Sequence, residues 1–252
     1  MNAIRRVGAV ILAAGKGTRM GVENINKVTM MLGNKPIILH AVERLEKMHV
    51  RPIVIVLGFA KESVKKALES TTVIYADQEE QLGTAHAVAC ALKKVPSEIS
   101  DVLVVQGDDS AFYTEDTLSK LINKHISSDA VATLLTINVH NPAGLGRVLR
   151  NENEKIIGIV EEKDATEQQR NITEVNPACY IFDKHFLAEY LPKIEPSIVT
   201  GEYYLPRLID LAVNDKKPLE AINVGHIAWR GVNTPEELQE AELLLTNLDA
   251  NT

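Results

Sequence analysis

Val7-Gly-Ala-Val-Ile-Leu-Ala-Ala-Gly-Lys-Gly-Thr-Arg-Met20 runs from an unbroken apolar segment into glycines, a hydroxyl and two cations. A short run rich in Val and Ile and bounded by Gly reads as a strand buried on both faces, as in a parallel sheet. The glycines let the backbone turn tightly, so that its N–H groups can face an anion with no Cβ in the way. Lys16 and Arg19 add positive charge at the carboxyl edge of that sheet, where open α/β sheets bind ligands. A phosphate-rich ligand fits the stretch; so does an ordinary strand-to-helix turn with solvated cations. Two familiar phosphate loops do not fit. A dinucleotide fingerprint counted from Gly15 needs glycine where Met20 stands, and no acidic residue closes the second apparent strand, Ile53–Leu57. A Walker loop needs Ser or Thr after Gly-Lys, and Lys16 is followed by Gly17.

Outward from this stretch, strand and helix alternate. Apolar residues at 37, 38, 41, 42 and 45 follow a helical period behind Pro36. Ile53–Leu57 predicts a buried strand ending at Gly58, Lys61–Leu68 a helix, Val73–Tyr75 a short strand, Thr84–Lys93 a helix, and Val102–Val105 a strand before Gly107-Asp108-Asp109. This rhythm predicts a Rossmann-like, doubly wound sheet. From about Asp129 strand-like segments dominate, at Val131–Ile137, Arg147–Leu149, Ile156–Glu161 and Glu174–Phe182, which predicts mixed or antiparallel strands in a smaller β-rich lobe beside the first sheet. Glu202–Val213 reads as helical, and Thr234-Pro235 with Glu237 forms a capping box that starts the last helix. One domain over residues 1–252 is expected, with lobes of about 1–128 and 129–252.

With 252 residues, of which 45% are hydrophobic, the chain can bury a substantial core. A net charge of −7 argues against non-specific nucleic-acid binding, so a phosphate site must be local. Cys90 and Cys179 belong to no metal-ligand or redox pair and read as reduced core thiols. No segment approaches membrane-spanning length, and no export signal follows Arg5-Arg6, so a cytoplasmic protein is expected.

Four constellations fall at predicted strand ends. Lys27 follows the opening loop and adds a second cation beside it. Gln78 carries both donor and acceptor, which suits a base edge, and Gly83-Thr84 stand where a helix begins; from these residues alone a capped helix start with surface glutamines is the preferred reading. After Gly107, one carboxylate suits a hard cation such as Mg²⁺ while the other caps the next element, and Asp108, next to the glycine, is assigned the metal. Gly144–Arg147, Glu161–Thr166, Asn176 and Gly231–Asn233 are commonplace loop residues singly. Together they offer paired hydrogen-bonding groups, such as Glu161 and Asn176, for orienting sugar hydroxyls.

Leu12-Ala-Ala-Gly-Lys-Gly-Thr-Arg-Met20 resembles the signature of the sugar nucleotidylyltransferases. Gln81-Leu-Gly-Thr84, His86-Ala-Val88, Gly146-Arg147-Val148, Ile159–Thr166, Glu174-Val-Asn176, Glu202-Tyr-Tyr-Leu205 and Gly231-Val-Asn233 follow in the family's order. Together they are similar to the uridylyltransferase domain of the bacterial bifunctional N-acetylglucosamine-1-phosphate uridylyltransferases, over nearly the whole chain. The resemblance implies a nucleotide-diphospho-sugar transferase fold. It also implies a reaction of UTP with N-acetylglucosamine 1-phosphate, giving UDP-N-acetylglucosamine and pyrophosphate. By position, Leu12, Ala13, Ala14, Gly15, Gln78, Gly83 and Thr84 would hold the nucleotide, and Arg19 and Lys27 would neutralise its phosphates. Asp108 and Asn233 would be Mg²⁺ ligands, and Gly146, Glu161, Asn176 and Lys163 would hold the sugar phosphate. His86 is expected to be a structural helix residue rather than a catalytic base.

Three departures stand out. An apolar residue and proline usually follow Gly-Asp in the family, where this chain has Asp109-Ser-Ala111; Pro177-Ala178 stand after Asn176 in place of Thr-Gly. The acetyltransferase β-helix does not follow the last helix, so neither its activity nor its trimer contacts are expected, while another oligomer remains open. The departures also leave open a different sugar 1-phosphate or nucleotide, such as glucose 1-phosphate with UTP or dTTP. A catalytically silent nucleotide-binding regulator is disfavoured because Arg19, Lys27, Asp108 and Asn233 are all present.

Overall fold

A computed structural model describes residues 6–21, 23–227, 229 and 231–249 of the chain. Its first half contains β1 (Val7–Ala13), β2 (Met31–Leu32), β3 (Lys35–Pro36), α1 (Ile37–Lys47), β4 (Ile53–Leu57), α2 (Lys61–Ala67), β5 (Ile74–Asp77), α3 (Thr84–Leu92), β6 (Asp101–Gln106) and α4 (Glu115–Ser128). The second half adds β7 (Ala132–Asn138), β8 (Gly146–Arg150), β9 (Ile156–Val160), α5 (Glu167–Arg170), β10 (Glu174–Asn176), β11 (Tyr180–Asp183), α6 (Lys184–Tyr190), α7 (Arg207–Asn214), β12 (Leu219–Asn223) and α8 (Pro235–Asp249).

The main sheet is ten-stranded in the order β5-β4-β1-β6-β11-β7-β10-β8-β9, with β12 on the other edge of β7. β5, β4, β1 and β6 are parallel, and the strands beyond β6 pair antiparallel except for parallel β12. The unbroken apolar character of β1 follows from this placement. Val10 and Leu12 join a cluster with α3, α6 and α7 on one face, whereas Ala9, Ile11 and Ala13 join α1, α2 and α4 on the other. Full burial of side chains such as Val10 and Ile11 stabilises by about 1.5–3 kcal/mol each. In α1 the five apolar positions of the predicted stripe, Ile37, Ile38, Ala41, Val42 and Leu45, are all buried. Cys179 is buried, Cys90 is half-buried, and both are free thiols. Among the described residues no helix is long and apolar enough to cross a membrane.

Three sequence expectations change. Glu174–Phe182 is two strands, β10 and β11, because Pro177 cannot donate to a ladder and Ala178 takes a left-handed conformation with φ of 56°. The helix expected from Glu202 begins only at Arg207, after Pro206, since the preceding segment is pinned to the start of α3 instead. β12 was not anticipated; Leu219–Ile222 are half-buried, Asn223 is exposed, and the strand lacks a clear period of two.

Candidate active site

The loops after β1, β4, β5 and β6 meet at the carboxyl edge of the parallel strands. Two close approaches fix them. A Cβ on Gly58 would lie 2.6 Å from the Ala14 carbonyl oxygen, and one on Gly107 would lie 2.9 Å from that of Leu12. Backbone N–H groups of Phe59 and Gly107 donate to those same two carbonyls at 3.0 and 2.9 Å. The parallel ladder thus continues past the strand ends and sets the backbone of the loop after β1.

Asn26, which the sequence reading overlooked, completes the clamp. It is 1% exposed, and its Nδ2 donates to the carbonyls of Ala13 and Phe59, both at 2.9 Å. Its Oδ1 caps the turn at Lys27–Thr29 by accepting from the Val28 N–H. One buried amide therefore joins the opening loop, the loop after β4 and the turn that aims Lys27. A single Asn beside a lysine gives little sequence signal for this.

Two cavities open here. The first, about 390 Å³, is lined by Leu12, Ala13, Ala14, Gly15, Lys16, Gln78, Gly83 and Thr84 among others. The second, about 420 Å³, is lined by Arg19, Asp109, Gly146, Glu161, Asn176, Trp229 and Asn233 among others. They share Lys27, Thr84, Gln106 and Asp108 at their junction. Arg19, expected at the nucleotide phosphates, faces the second cavity, and Lys163 is exposed and lines neither.

In the first cavity Gln78 is 4% exposed, and its Nε2 donates to the Gly83 carbonyl at 3.0 Å and to His86 Nδ1 at 3.2 Å. Both amide hydrogens are thus used internally, which leaves its carbonyl oxygen as an acceptor for a ligand. His86 is accordingly a structural partner on α3. Gly83 has φ of 109° and ψ of 179°, and a Cβ there would lie 2.6 Å from the Tyr203 carbonyl oxygen, so only glycine fits. The Thr84 hydroxyl accepts the Leu205 N–H at 2.9 Å, which ties the 203–205 segment across the cavity mouth.

At the junction, Lys27 Nζ donates to Asp108 Oδ2 and, at 2.7 Å, to Asn233 Oδ1. Two hard oxygen donors from well-separated parts of the chain therefore converge on one cationic point. That donor set fits Mg²⁺, which takes few protein oxygens and completes its shell with phosphate and water. The Val232 N–H donates to the Asp108 carbonyl at 3.2 Å, and Glu237 Oε2 accepts the Asn233 N–H at 2.7 Å. The Thr234 hydroxyl accepts the Glu237 N–H as expected of the capping box, so the start of α8 holds Asn233 in place.

In the second cavity, burial pushes the Glu161 carboxyl above its ordinary range, with Asp164 adding to the shift. Asn176 donates to the Tyr180 hydroxyl and accepts the Ala178 N–H at 3.1 Å. Arg147, 1% exposed, pairs with Glu162 at 2.6 Å and donates to the Leu145 carbonyl, while Glu162 accepts the Gly144 N–H; the wall at 144–146 is thereby fixed. Asp109 is buried beside Asp108, and burial first, then the Asp108 charge, pushes its carboxyl well above the ordinary range.

The family model described as nucleotidyl transferase matches residues 8–247. A relative named bifunctional protein GlmU, from Caldicellulosiruptor saccharolyticus, is 41% identical over 235 residues, covering 92% of this chain and 50% of the relative. Another of that name, from Bacillus cereus strain AH187, is 39% identical over 240 residues, covering 95% and 52%. The chain spans about half the length of the curated relatives it matches. A Bacillus anthracis crystal structure, named as a glucose-1-phosphate thymidylyltransferase in complex with sucrose, is similar with a TM-score of 0.79 at 22% identity, each chain being covered to 94%. This likeness identifies the fold as the mixed α/β nucleotide-diphospho-sugar transferase type. On the match across residues 8–247 and the 39–41% identity to these relatives, the chain belongs to the nucleotidyl transferase family.

Proposed function

We propose that the protein transfers a uridylyl group from UTP to N-acetylglucosamine 1-phosphate, giving UDP-N-acetylglucosamine and pyrophosphate. The observation that carries the reading is the junction: two cavities share Lys27 and Asp108, which supports a reaction in which two phosphorylated substrates meet there. The first cavity takes the nucleotide. Gln78 offers an acceptor there, which suits the N3–H of uracil or thymine and opposes the bare N3 of cytosine. The second cavity takes the sugar phosphate, with Glu161 and Asn176 on its wall.

A phosphate monoester has a second pKa of about 6, so the nucleophile is largely dianionic at neutral pH and needs no general base. Its oxygen attacks the α-phosphorus as the bond from that phosphorus to the α,β-bridging oxygen breaks, and the electron pair leaves with pyrophosphate. Lys27, fixed through Asn26, brings positive charge to the reacting phosphates, and Arg19 reaches the same region from the sugar side. Asp108 and Asn233 would hold a Mg²⁺ ion, whose charge would offset that building on the leaving group.

The 39–41% identity to proteins named GlmU supports the uridylyl and N-acetylglucosamine assignments. Pro177-Ala178 in the second cavity favours one further reading, in which another sugar 1-phosphate, such as glucose 1-phosphate, is the acceptor with UTP or dTTP. Pyrophosphate release over a panel of sugar 1-phosphates and nucleoside triphosphates separates these readings. Highest kcat/KM with UTP and N-acetylglucosamine 1-phosphate is expected. Binding of Mg²⁺–UTP without turnover of any sugar 1-phosphate would instead mark a silent nucleotide-binding module.

A further inference from the structure

The two internal departures from the family's pattern, Asp109 and Pro177-Ala178, lie on different loops, yet the structure joins them through one atom. Tyr113 is 1% exposed, and its hydroxyl donates to Asp109 Oδ2 and to the Pro177 carbonyl, both at 3.1 Å. The same oxygen accepts from Trp229 Nε1, also at 3.1 Å. A phenol has one hydrogen and two lone pairs, so these contacts occupy its hydrogen, shared between two acceptors, and one lone pair. Each partner neighbours a residue of the proposed site. Asp109 follows Asp108, Pro177 follows Asn176, and Trp229 precedes the Gly231–Asn233 segment. Asp109, Pro177 and Trp229 all line the second cavity and none lines the first, whereas Tyr113 lines neither.

We propose that the Tyr113 hydroxyl is a positioning group for the sugar-phosphate half of the site, holding Asp109, Pro177 and Trp229 against one another in the wall of the second cavity. It contacts no substrate and acts through the three loops it ties. The inference rests on the proposed function, in that the second cavity is taken to receive the sugar phosphate. Its consequence is a one-sided defect. Loss of the hydroxyl loosens the second cavity and leaves the clamp of Asn26, Gly58 and Gly107 around the first cavity untouched.

The test is Tyr113→Phe in the full chain, assayed by initial rates of pyrophosphate release with each substrate varied in turn. Removal of such an outer-sphere tie is expected to raise KM for N-acetylglucosamine 1-phosphate by about tenfold or more, with KM for UTP changed less than about twofold. The chain has a single tryptophan, so its emission reports the tie without turnover. A shift in Trp229 emission is expected when its N–H loses the phenol acceptor. Trp229→Phe, which removes the indole end and keeps the two other contacts, is expected to raise the same KM by less, and it carries the test if Tyr113→Phe does not fold. Equal rises in both KM values, or no change in either, would overturn the proposal while leaving the reaction in place. A wild-type chain with no turnover on any sugar 1-phosphate would overturn the functional reading instead, and an unshifted Trp229 emission in Tyr113→Phe would then overturn the tie itself.

Discussion

The two cavities are built from different materials. Around the first, most of the wall is backbone, tied by the buried amides of Asn26 and Gln78: the Leu12 and Ala14 carbonyls accept from Gly107 and Phe59, and Gly83 lies against the Tyr203 backbone. Around the second, they are made by side chains from distant loops: Glu161, Asn176, Tyr204, Trp229 and Asn233 converge from separate segments. Backbone walls follow from strand ends and glycines, so they survive wide changes of sequence as long as the fold does. Side-chain walls change with single substitutions, and both internal departures from the family's pattern fall there. On the proposed function, the difference teaches that the reaction type would be encoded in the sheet edge and the sugar preference in the loops.

The comparison can be broken first at the junction. Asp108→Ala removes an oxygen that both cavities share, and kcat is expected to fall by about a thousandfold or more, read by pyrophosphate release. Asp109→Ala is expected to cost far less, and equal losses would contradict the division of labour between the two carboxylates. Next, Asn26→Ala leaves the Ala13 and Phe59 carbonyls without their donor. About 2 kcal/mol of stability, or about 4–8 °C in melting temperature, is expected to be lost. KM for UTP should rise by about tenfold while that for the sugar phosphate holds. A rise confined to the sugar phosphate would reverse the assignment of the cavities.

A smaller effect sharpens the base reading. Gln78→Ala removes both the acceptor and the support of the Gly83 turn, and the preference for UTP over CTP in kcat/KM is expected to shrink by about tenfold. The smallest effect belongs to Lys163, which is exposed and lines neither cavity. Lys163→Ala should change both KM values by less than about twofold. A large rise in KM for the sugar phosphate would show that the loop after β9 folds over the ligand.

Legibility in the sequence followed the distance between a signal and the feature it sets, not the division between the cavities. Val7–Ala13, the stripe of α1 and the alternation through Val105 all carry local signals: an apolar run, a period, a glycine at a strand end. The structure bears them out as β1, α1 and the parallel part of the sheet, because each signal lies within a few residues of the feature it sets. Asn26 was missed because its partners lie on two other loops, which the parallel crossovers alone bring together. Tyr113 and Trp229 were missed for the same reason, since nothing near either residue announces their contact. The break between β10 and β11 was hidden differently: Val, Asn and Tyr on both sides of Pro177 read as one strand, and only the proline and the left-handed Ala178 reveal two pairings.

The central claim is that transfer occurs directly between two substrates that meet at Lys27 and Asp108. It is tested most directly with a UTP analogue made chiral by sulfur at the α-phosphorus, followed by assignment of the configuration in the nucleotide-sugar product. A single in-line displacement is expected to invert that phosphorus. Retention, which requires a second displacement through a covalent intermediate on the protein, would contradict the account.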